Sequence, residues 1–233
     1  MARQPVSNNP PVAGNRLTAT RPDSLIGVYG GAFDPVHLGH QAIAAAALSG
    51  LQLDKLLWMP TGNPKHRAPL SVNAQHRLEM LRLAIEAEPR FIINDSEITS
   101  SEPSYTVSSL KRLQGQNPEA ALVLILGADA YAGLDRWYRA PDLPLLAHLA
   151  IAARPGFELA DDSPDVANLY RQAESAQALR QDFAGLRLTL KAPLLDISAT
   201  AIRATIAGDS SRRHELSSAV WAYIKQHQLY TEK

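Results

Sequence analysis

Short apolar segments alternate with longer helical segments along most of the chain. The apolar segments predict strands at residues 25–29, 55–59, 91–94, 121–126, 148–152 and 186–191. Several of them end at glycine or proline, which stop a strand in a turn. Because they are apolar throughout and do not alternate with polar residues, we expect both faces of each strand to be buried.

The intervening segments predict helices at residues 38–48, 71–87, 105–114, 165–183, 198–207 and 217–227. Ser71 is the candidate N-cap of the second, and the polar segment 165–183 is expected to be a surface insertion. Strands that alternate with helices and are joined by right-handed crossovers predict an α/β fold with a doubly wound parallel sheet. Ligands of such folds bind beyond the carboxyl ends of the strands.

Residues 1–23 differ from the rest of the chain. They are rich in proline and asparagine and have no hydrophobic periodicity, which predicts a disordered N-terminal extension. Residues 24–233 contain no internal repeat and no sign of a second apolar core. We therefore expect one domain from residue 24 onward.

Charge and composition narrow the class of protein. Lys plus Arg and Asp plus Glu number 23 each, so nothing in the net charge demands a nucleic acid or an anionic membrane as partner. The chain has no cysteine, which excludes disulfides and thiolate zinc sites. It also lacks the roughly 20-residue apolar run of a membrane span and the apolar core of a secretory signal. We expect a soluble cytoplasmic protein.

The segment after the first predicted strand, residues 30–40, reads GGAFDPVHLGH. Its glycines allow a backbone to approach a ligand closely, and the helix that follows offers free amides to phosphate. His37 and His40 are three residues apart and share one face of a helical turn. Both can donate hydrogen bonds to phosphate oxygens, and protonation would strengthen those bonds.

Simpler interpretations exist for each part of this segment. A Gly-Gly pair is usually a turn, and two histidines at a helix start can be caps or core residues. A zinc site lacks the usual spacing and an evident third ligand, and the glycines do not form the G-x-G-x-x-G pattern of dehydrogenases. As one ordered string after a strand, the features favour phosphate chemistry.

A second segment, residues 197–203, follows the last predicted strand and reads ISATAIR. Ser198 is a candidate N-cap, and Thr200 adds a hydroxyl group at the same helix start. Arg203 lies on the first turns, where its guanidinium can reach a polyphosphate. Taken alone, this segment is better explained as a capped surface helix with a solvated arginine.

Together the two segments resemble signatures of the nucleotidylyltransferase superfamily. The first resembles G-G-x-F-D-P-x-H-x-G-H, found in bacterial nicotinate mononucleotide adenylyltransferases and in phosphopantetheine adenylyltransferases, and the second resembles I-S-x-T-x-x-R. The resemblance covers essentially the whole chain after the extension and implies a Rossmann-like fold. It implies catalytic roles for His37, His40 and Arg203. The implied ATP-binding residues are Gly30, Gly31, Ala32, Phe33, His37, His40, Gly127, Asp129, Arg154, Ile197, Ser198, Thr200 and Arg203.

Other segments resemble the acceptor site of the nicotinate branch. In that branch an aromatic residue stacks on the pyridine ring, and the resemblance implies that this residue is Trp137. Backbone amides and a threonine hold the carboxylate, which implies Tyr105 and Thr106 in this chain. Lys65 and His66 are candidates to meet the acceptor phosphate. Each also has a simpler explanation, as a basic loop, a capped helix or a core tryptophan.

The resemblance implies an enzyme that transfers AMP from ATP to nicotinate mononucleotide, giving nicotinate adenine dinucleotide for NAD biosynthesis. Mg²⁺ would enter with the ATP phosphates, since no dedicated carboxylate ligands are evident. Two alternatives stay open at this point. One is the same chemistry on nicotinamide mononucleotide or phosphopantetheine, and the other is a non-catalytic nucleotide-binding protein.

Overall fold

A computed structural model describes residues 21–62, 70–100, 102–152, 165–193, 195–206, 208 and 211–231. Its strands are β1 (Ser24–Gly31), β2 (Lys55–Pro60), β3 (Phe91–Ile93), β4 (Ala120–Gly127), β5 (His148–Ala152), β6 (Arg171–Gln172) and β7 (Leu186–Leu190). They form one sheet in the order β3-β2-β1-β4-β5-β7-β6, and every described pair is parallel. This confirms the doubly wound α/β fold.

The α-helices are α1 (Leu38–Gly50), α2 (Ala74–Ile85), α3 (Ser96–Thr99), α4 (Thr106–Gln116), α5 (Ala128–Ala132), α6 (Asp165–Asn168), α7 (Ala199–Ile206) and α8 (Ser218–Gln226). Short 3₁₀ helices lie at Leu134–Arg136, Ala140–Leu145, Ala176–Arg180 and Ser211–Glu215. The chain runs outward from β1 to β3 and then returns to place β4 beside β1. The switch point for ligand binding is therefore between β1 and β4.

The sheet has an apolar core on each face. Along β1, Leu25 and Tyr29 belong to one buried cluster, and Ile26 and Val28 belong to the other. Successive side chains of a strand point to opposite faces. This arrangement explains why the strand is apolar at nearly every position and does not alternate.

The N-cap of α2 differs from the prediction. Asn73 caps the helix, because its side-chain oxygen accepts a hydrogen bond from the amide of His76 at 3.0 Å. The amide of Ser71 instead donates to the carboxylate of Asp34 at 2.7 Å. The predicted cap at Ser71 was therefore wrong, because a tertiary contact outside the helix takes up this residue.

The predicted surface helix at residues 165–183 was also wrong. The α-helix is limited to α6, and a 3₁₀ helix follows at Ala176–Arg180. Between them the chain adds β6 to the edge of the sheet, where Arg171 pairs with Leu186. Tyr170 and Leu179 are buried in the two cores. This segment therefore closes the edge of the sheet and covers apolar surface, which its polar composition conceals.

The predicted extension lies mostly outside the described residues. At its end, Pro22 is buried and the amide of Asp23 donates to the carbonyl of Glu119 at 2.8 Å. Residues 22 and 23 are therefore part of the fold. In the ranges that the structure describes, every helix is too short or too polar to cross a bilayer.

His148 is a fully buried histidine that joins β5 to the segment before β7. Its Nδ1 accepts from the amide of Leu186 at 3.1 Å, so its Nε2 carries the proton and donates to the carbonyl of Asp182 at 2.9 Å. The bond from Leu186 requires an unprotonated Nδ1 and therefore a neutral ring. Burial lowers the pKa of His148, against weaker opposing effects of the Asp182 carbonyl and carboxylate.

We predict that His148 makes the fold sensitive to acid. The unfolded ring takes up a proton near pH 6.5 while the folded ring does so only at lower pH, so the free energy of unfolding falls as the pH drops below about 6.5. His148→Gln can keep a donor and an acceptor but cannot titrate. In urea unfolding between pH 5 and 7, the free energy of unfolding of the wild type should change more steeply with pH than that of His148→Gln. The difference in slope should be at most about 1.4 kcal/mol per pH unit. Equal slopes for the two proteins would contradict the prediction.

Candidate active site

His37 and His40 form a reciprocal cap at the start of α1. The amide of His40 donates to Nδ1 of His37 at 3.4 Å, and the amide of His37 donates to Nδ1 of His40 at 3.3 Å. The two rings stack with their centroids 3.7 Å apart. Since both Nδ1 atoms accept, each neutral ring carries its proton on Nε2. The rings are therefore helix caps, as the simpler interpretation held, and each retains an N–H group for a ligand.

Both imidazoles are held in the neutral form. Burial lowers the pKa of His37 to about 4. Burial, and then the neighbouring His37, lower the pKa of His40 well below its usual value. At neutral pH in the free protein these rings are uncharged donors, so the strengthening by protonation that we considered from the sequence does not apply there.

Gly39 and Phe33 fix the positions of the two rings. A Cβ atom on Gly39 would lie 3.1 Å from Cε1 and Nδ1 of His37, which is too close for an undisturbed cap. Phe33 is buried, has a left-handed φ of 48°, and packs its ring edge-on against His40 with centroids 5.1 Å apart. The side chain of Phe33 thus supports a histidine, and its predicted role in ATP binding stays a prediction.

Arg203 comes from the far end of the chain to the same loop. Its Nη1 donates to the carbonyl of Asp34 at 2.6 Å, and its Nη2 donates to the hydroxyl of Thr200 at 3.2 Å. Cβ of Ile197 lies 3.6 Å from the position that a Cβ on Gly39 would occupy. The structure therefore brings the two predicted phosphate segments together at the carboxyl end of β1.

Ser198 lies at the start of α7, where its carbonyl accepts from the amide of Ile202 at 2.9 Å. Its side chain and that of Thr200 are exposed beside Arg203. Both residues therefore lie where the sequence placed them, at a helix start next to the histidine loop. Their contact with a polyphosphate stays a prediction.

Asp34 and Arg77 organise the loop, and sequence reasoning gave neither of them a role. The Asp34 carboxylate is buried and accepts from the amide of Ser71 and the hydroxyl of Tyr230, both at 2.7 Å. Arg77 is buried and donates to the carbonyls of Ala32 and Thr61, both at 2.7 Å.

One signal in the sequence pointed to Arg77. It lies three residues before Met80 and four before Leu81, so it shares the buried face of α2 with them. A charged residue on an apolar helix face requires a partner. The partners are backbone carbonyls of distant loops, which the sequence does not reveal.

A cavity of about 710 Å³ opens at the carboxyl ends of β1 and β4. The predicted site residues that line it are Gly30, Gly31, Tyr105, Thr106, Gly127 and Trp137. Other lining residues include Met59, Thr61, Glu97, Ser104, Ala130, Arg136 and Tyr138. Such a mixture of aromatic, polar and glycine residues suits a heterocycle joined to a sugar.

The start of α4 faces this cavity at Tyr105 and Thr106. Its N-cap residue, Tyr105, makes no side-chain capping hydrogen bond, and the first turn carries no acidic residue. A helix N-terminus of this kind offers free amides to an anion. Tyr105 also stacks on Tyr138 with ring centroids 4.5 Å apart, while Trp137 packs against the core and lines the cavity. The packing and ligand-facing interpretations of Trp137 are therefore compatible.

Glu97 and Ser104 also line the cavity, and the sequence analysis missed both. Glu97 is buried, and its carboxylate accepts from the Ser109 hydroxyl at 2.6 Å, which ties α3 to α4. The hydroxyl of Ser104 is buried and has no hydrogen-bond partner among the described residues.

The remaining predicted residues are less informative. Lys65, His66 and Arg154 lie outside the described residues, and their roles stay predictions. Asp129 lies in the first turn of α5, just beyond β4, where its side chain is exposed and does not line the cavity. Across the described ranges, no group of three or more His, Asp or Glu side chains is placed to hold a metal ion.

Comparison with known proteins places the chain in a family. The model of the cytidylyltransferase-like family matches residues 28–205. A protein of Dechloromonas aromatica, named a probable nicotinate-nucleotide adenylyltransferase, is 41% identical and aligns over 88% of this chain and 97% of its own length. A protein of the same name from Laribacter hongkongensis is 42% identical over 90% of this chain and 96% of its own.

Solved structures agree in fold. The nicotinic acid mononucleotide adenylyltransferase of Plasmodium falciparum, complexed with NaAD, matches with a TM-score of 0.66 and 19% identity over 89% of this chain and 97% of that one. At this identity the likeness is one of fold alone. The sequence relatives and the family model carry the assignment further: this chain belongs to the cytidylyltransferase-like family and, within it, to the nicotinate-nucleotide adenylyltransferases.

Proposed function

We propose that this chain transfers the adenylyl group of ATP to nicotinate mononucleotide, producing nicotinate adenine dinucleotide and pyrophosphate in the cytoplasmic synthesis of NAD. One observation carries the proposal. Arg203, which is separated from the histidine pair by most of the chain, bonds to Asp34 in the loop that carries His37, and the glycines at the start of that loop line the cavity. The names of the sequence relatives support the choice of acceptor.

The reaction requires positioning and charge stabilisation and no covalent enzyme intermediate. The acceptor's phosphate oxygen attacks the α-phosphorus of ATP, a new P–O bond forms, and the bond to the β-phosphate oxygen breaks to release pyrophosphate. The neutral Nε2–H groups of His37 and His40 donate to phosphate oxygens as charge develops on them. Arg203 and the start of α7 hold the outgoing phosphates.

The acceptor binds in the cavity on the other side of Gly30 and Gly31. The free amides at the start of α4 suit the nicotinate carboxylate, with the Thr106 hydroxyl beside them. The Trp137 ring stacks on the pyridinium, whose positive charge favours an indole face. Mg²⁺ accompanies ATP as part of the substrate and neutralises the polyphosphate.

The direct test is incubation of the protein with ATP, Mg²⁺ and nicotinate mononucleotide, with the dinucleotide detected by mass spectrometry. A parallel acceptor panel contains nicotinamide mononucleotide and phosphopantetheine, and pyrophosphate release is measured for each. The proposal expects the highest kcat/KM with nicotinate mononucleotide. A higher kcat/KM with another acceptor would identify that molecule as the substrate in place of nicotinate mononucleotide. Absence of turnover with all three acceptors would contradict the proposed enzymatic function.

We predict that the distal N–H of His40 is the group that accelerates the reaction. His40→Asn preserves an acceptor near the Nδ1 position but removes the distal donor, whereas His40→Gln places an amide N–H near the Nε2 position. His40→Asn should therefore lower kcat by about 10²–10³-fold, as expected for the loss of one charge-stabilising donor, and His40→Gln should lose less. Steady-state kinetics with both substrates saturating provides the measurement. If the asparagine variant retained more activity than the glutamine variant, helix capping would be the main role of His40.

We predict that Trp137→Ala weakens acceptor binding selectively. Loss of stacking on the pyridinium should raise the KM for nicotinate mononucleotide by about tenfold, equivalent to ~1.4 kcal/mol, with the KM for ATP changed little. Trp137→Phe serves as the matched control because it keeps a smaller aromatic face. Its KM for nicotinate mononucleotide should fall between those of the wild type and Trp137→Ala. Equal increases in both KM values would indicate a general disturbance of the core.

A further inference from the structure

We propose that Tyr230, at the C-terminal end of the described chain, is a positioning residue for the phosphate-binding loop and acts through Asp34. This inference rests on the proposed function, since it concerns the alignment of groups that the reaction uses. Tyr230 lies 196 residues from Asp34 in sequence, yet its hydroxyl donates to Oδ1 of Asp34 at 2.7 Å.

Asp34 transmits the contact because it belongs to the loop that carries His37. Its second carboxylate oxygen accepts from the amide of Ser71, and its main-chain carbonyl accepts from Arg203 at 2.6 Å. A carboxylate fixed at both oxygens also fixes the direction of its own carbonyl. The hydroxyl of Tyr230 thereby sets where the guanidinium of Arg203 lies relative to the two histidines.

The backbone after α8 is shaped to deliver this hydroxyl. Gln228 and Tyr230 both have left-handed φ angles, of 51° and 61°, which residues other than glycine rarely adopt. Leu229 lies between them, buried in the core, and its amide donates to the carbonyl of Ile224 at 3.0 Å. Residues in this conformation persist where surrounding contacts determine it. Here those contacts are the core on one side and Asp34 on the other.

The charge of Asp34 keeps Tyr230 a donor. Burial, the nearby Asp34 carboxylate and the hydrogen bond to it all raise the pKa of Tyr230, so the phenol stays protonated throughout the working range. Burial lowers the pKa of Arg77, and the nearby Asp34 carboxylate opposes this effect by favouring the charged guanidinium. Through its bonds to the carbonyls of Ala32 and Thr61, Arg77 holds the ends of β1 and β2 together. Buried Asp34 and Arg77 and partly buried Tyr230 thus form one network beneath the loop.

The test compares two variants that each lose one phenolic hydroxyl. Tyr230→Phe removes the bond to Asp34. Tyr223→Phe, the matched control in α8, removes a hydroxyl that lies 3.0 Å from Nδ1 of His76 and does not reach the loop. Thermal unfolding and circular dichroism of both variants measure any common loss of stability.

For Tyr230→Phe we expect kcat to fall at least about tenfold, because misplacing reacting groups by about 1 Å costs up to 10²-fold. The KM for nicotinate mononucleotide should stay within about twofold, since the cavity that binds the acceptor is lined by other residues. Tyr223→Phe should keep the wild-type kcat. A second readout does not depend on turnover: the imidazole NMR signals of His37 should shift in Tyr230→Phe and not in Tyr223→Phe.

Several results would overturn the inference. One is wild-type kcat and unshifted His37 signals in folded Tyr230→Phe, and another is an equal loss of kcat in the two variants. If Tyr230→Phe failed to fold, Asp34→Asn would be examined by the same NMR measurement. This variant neutralises the carboxylate that accepts the hydrogen bond of Tyr230, so the inference requires the His37 signals to shift and is contradicted if they do not. An inactive wild-type protein would instead count against the proposed function, and the NMR comparison would still test the role of Tyr230.

Discussion

The buried carboxylate of Asp34 is the constraint on which the rest of the site depends. A buried charge is tolerated only when it is compensated, and loss of one partner typically costs about 3–5 kcal/mol. Asp34 accepts hydrogen bonds from the amide of Ser71 and the hydroxyl of Tyr230, and Arg77 lies close enough to interact with its charge. Three regions far apart in sequence are therefore required to meet at the end of β1, and this same meeting point receives Arg203.

Neutrality of the two histidines follows from how they are held. The backbone amides at the start of α1 use both Nδ1 atoms, which fixes the tautomer, and aromatic neighbours exclude the water that would favour a charged ring. A neutral donor contributes directional hydrogen bonds without adding a buried charge. In the proposed reaction, the positive charge that a polyphosphate requires would come from Arg203, whose guanidinium donates to the carbonyl of Asp34 in the same loop.

The sequence predicted the strands well because parallel strands buried on both faces are apolar throughout, as in β4, where all residues except the last are buried. It failed where tertiary contacts override local pattern. The segment after residue 165 looks like a polar helix, yet sheet pairing at β7 and the burial of Tyr170 and Leu179 outweigh its composition. The motif pointed to the histidines and Arg203, but no local signal connects Asp34 with Tyr230, because their contact exists only after the chain has folded.

The proposed site consists of two parts with separate supports, and this separation would have a functional consequence. The phosphate part is built from α1, α7 and the chain end beyond α8, all tied to Asp34. The acceptor part is built from the starts of α4 and α5 and from Trp137, which pack on the opposite face of the sheet. The two parts meet at the glycines that end β1, where there is no side chain to separate them. In the proposed reaction, changes at Thr106 or Trp137 can alter which molecule is adenylylated while the geometry at the phosphorus stays the same, because Asp34, Arg203 and Tyr230 do not line the cavity.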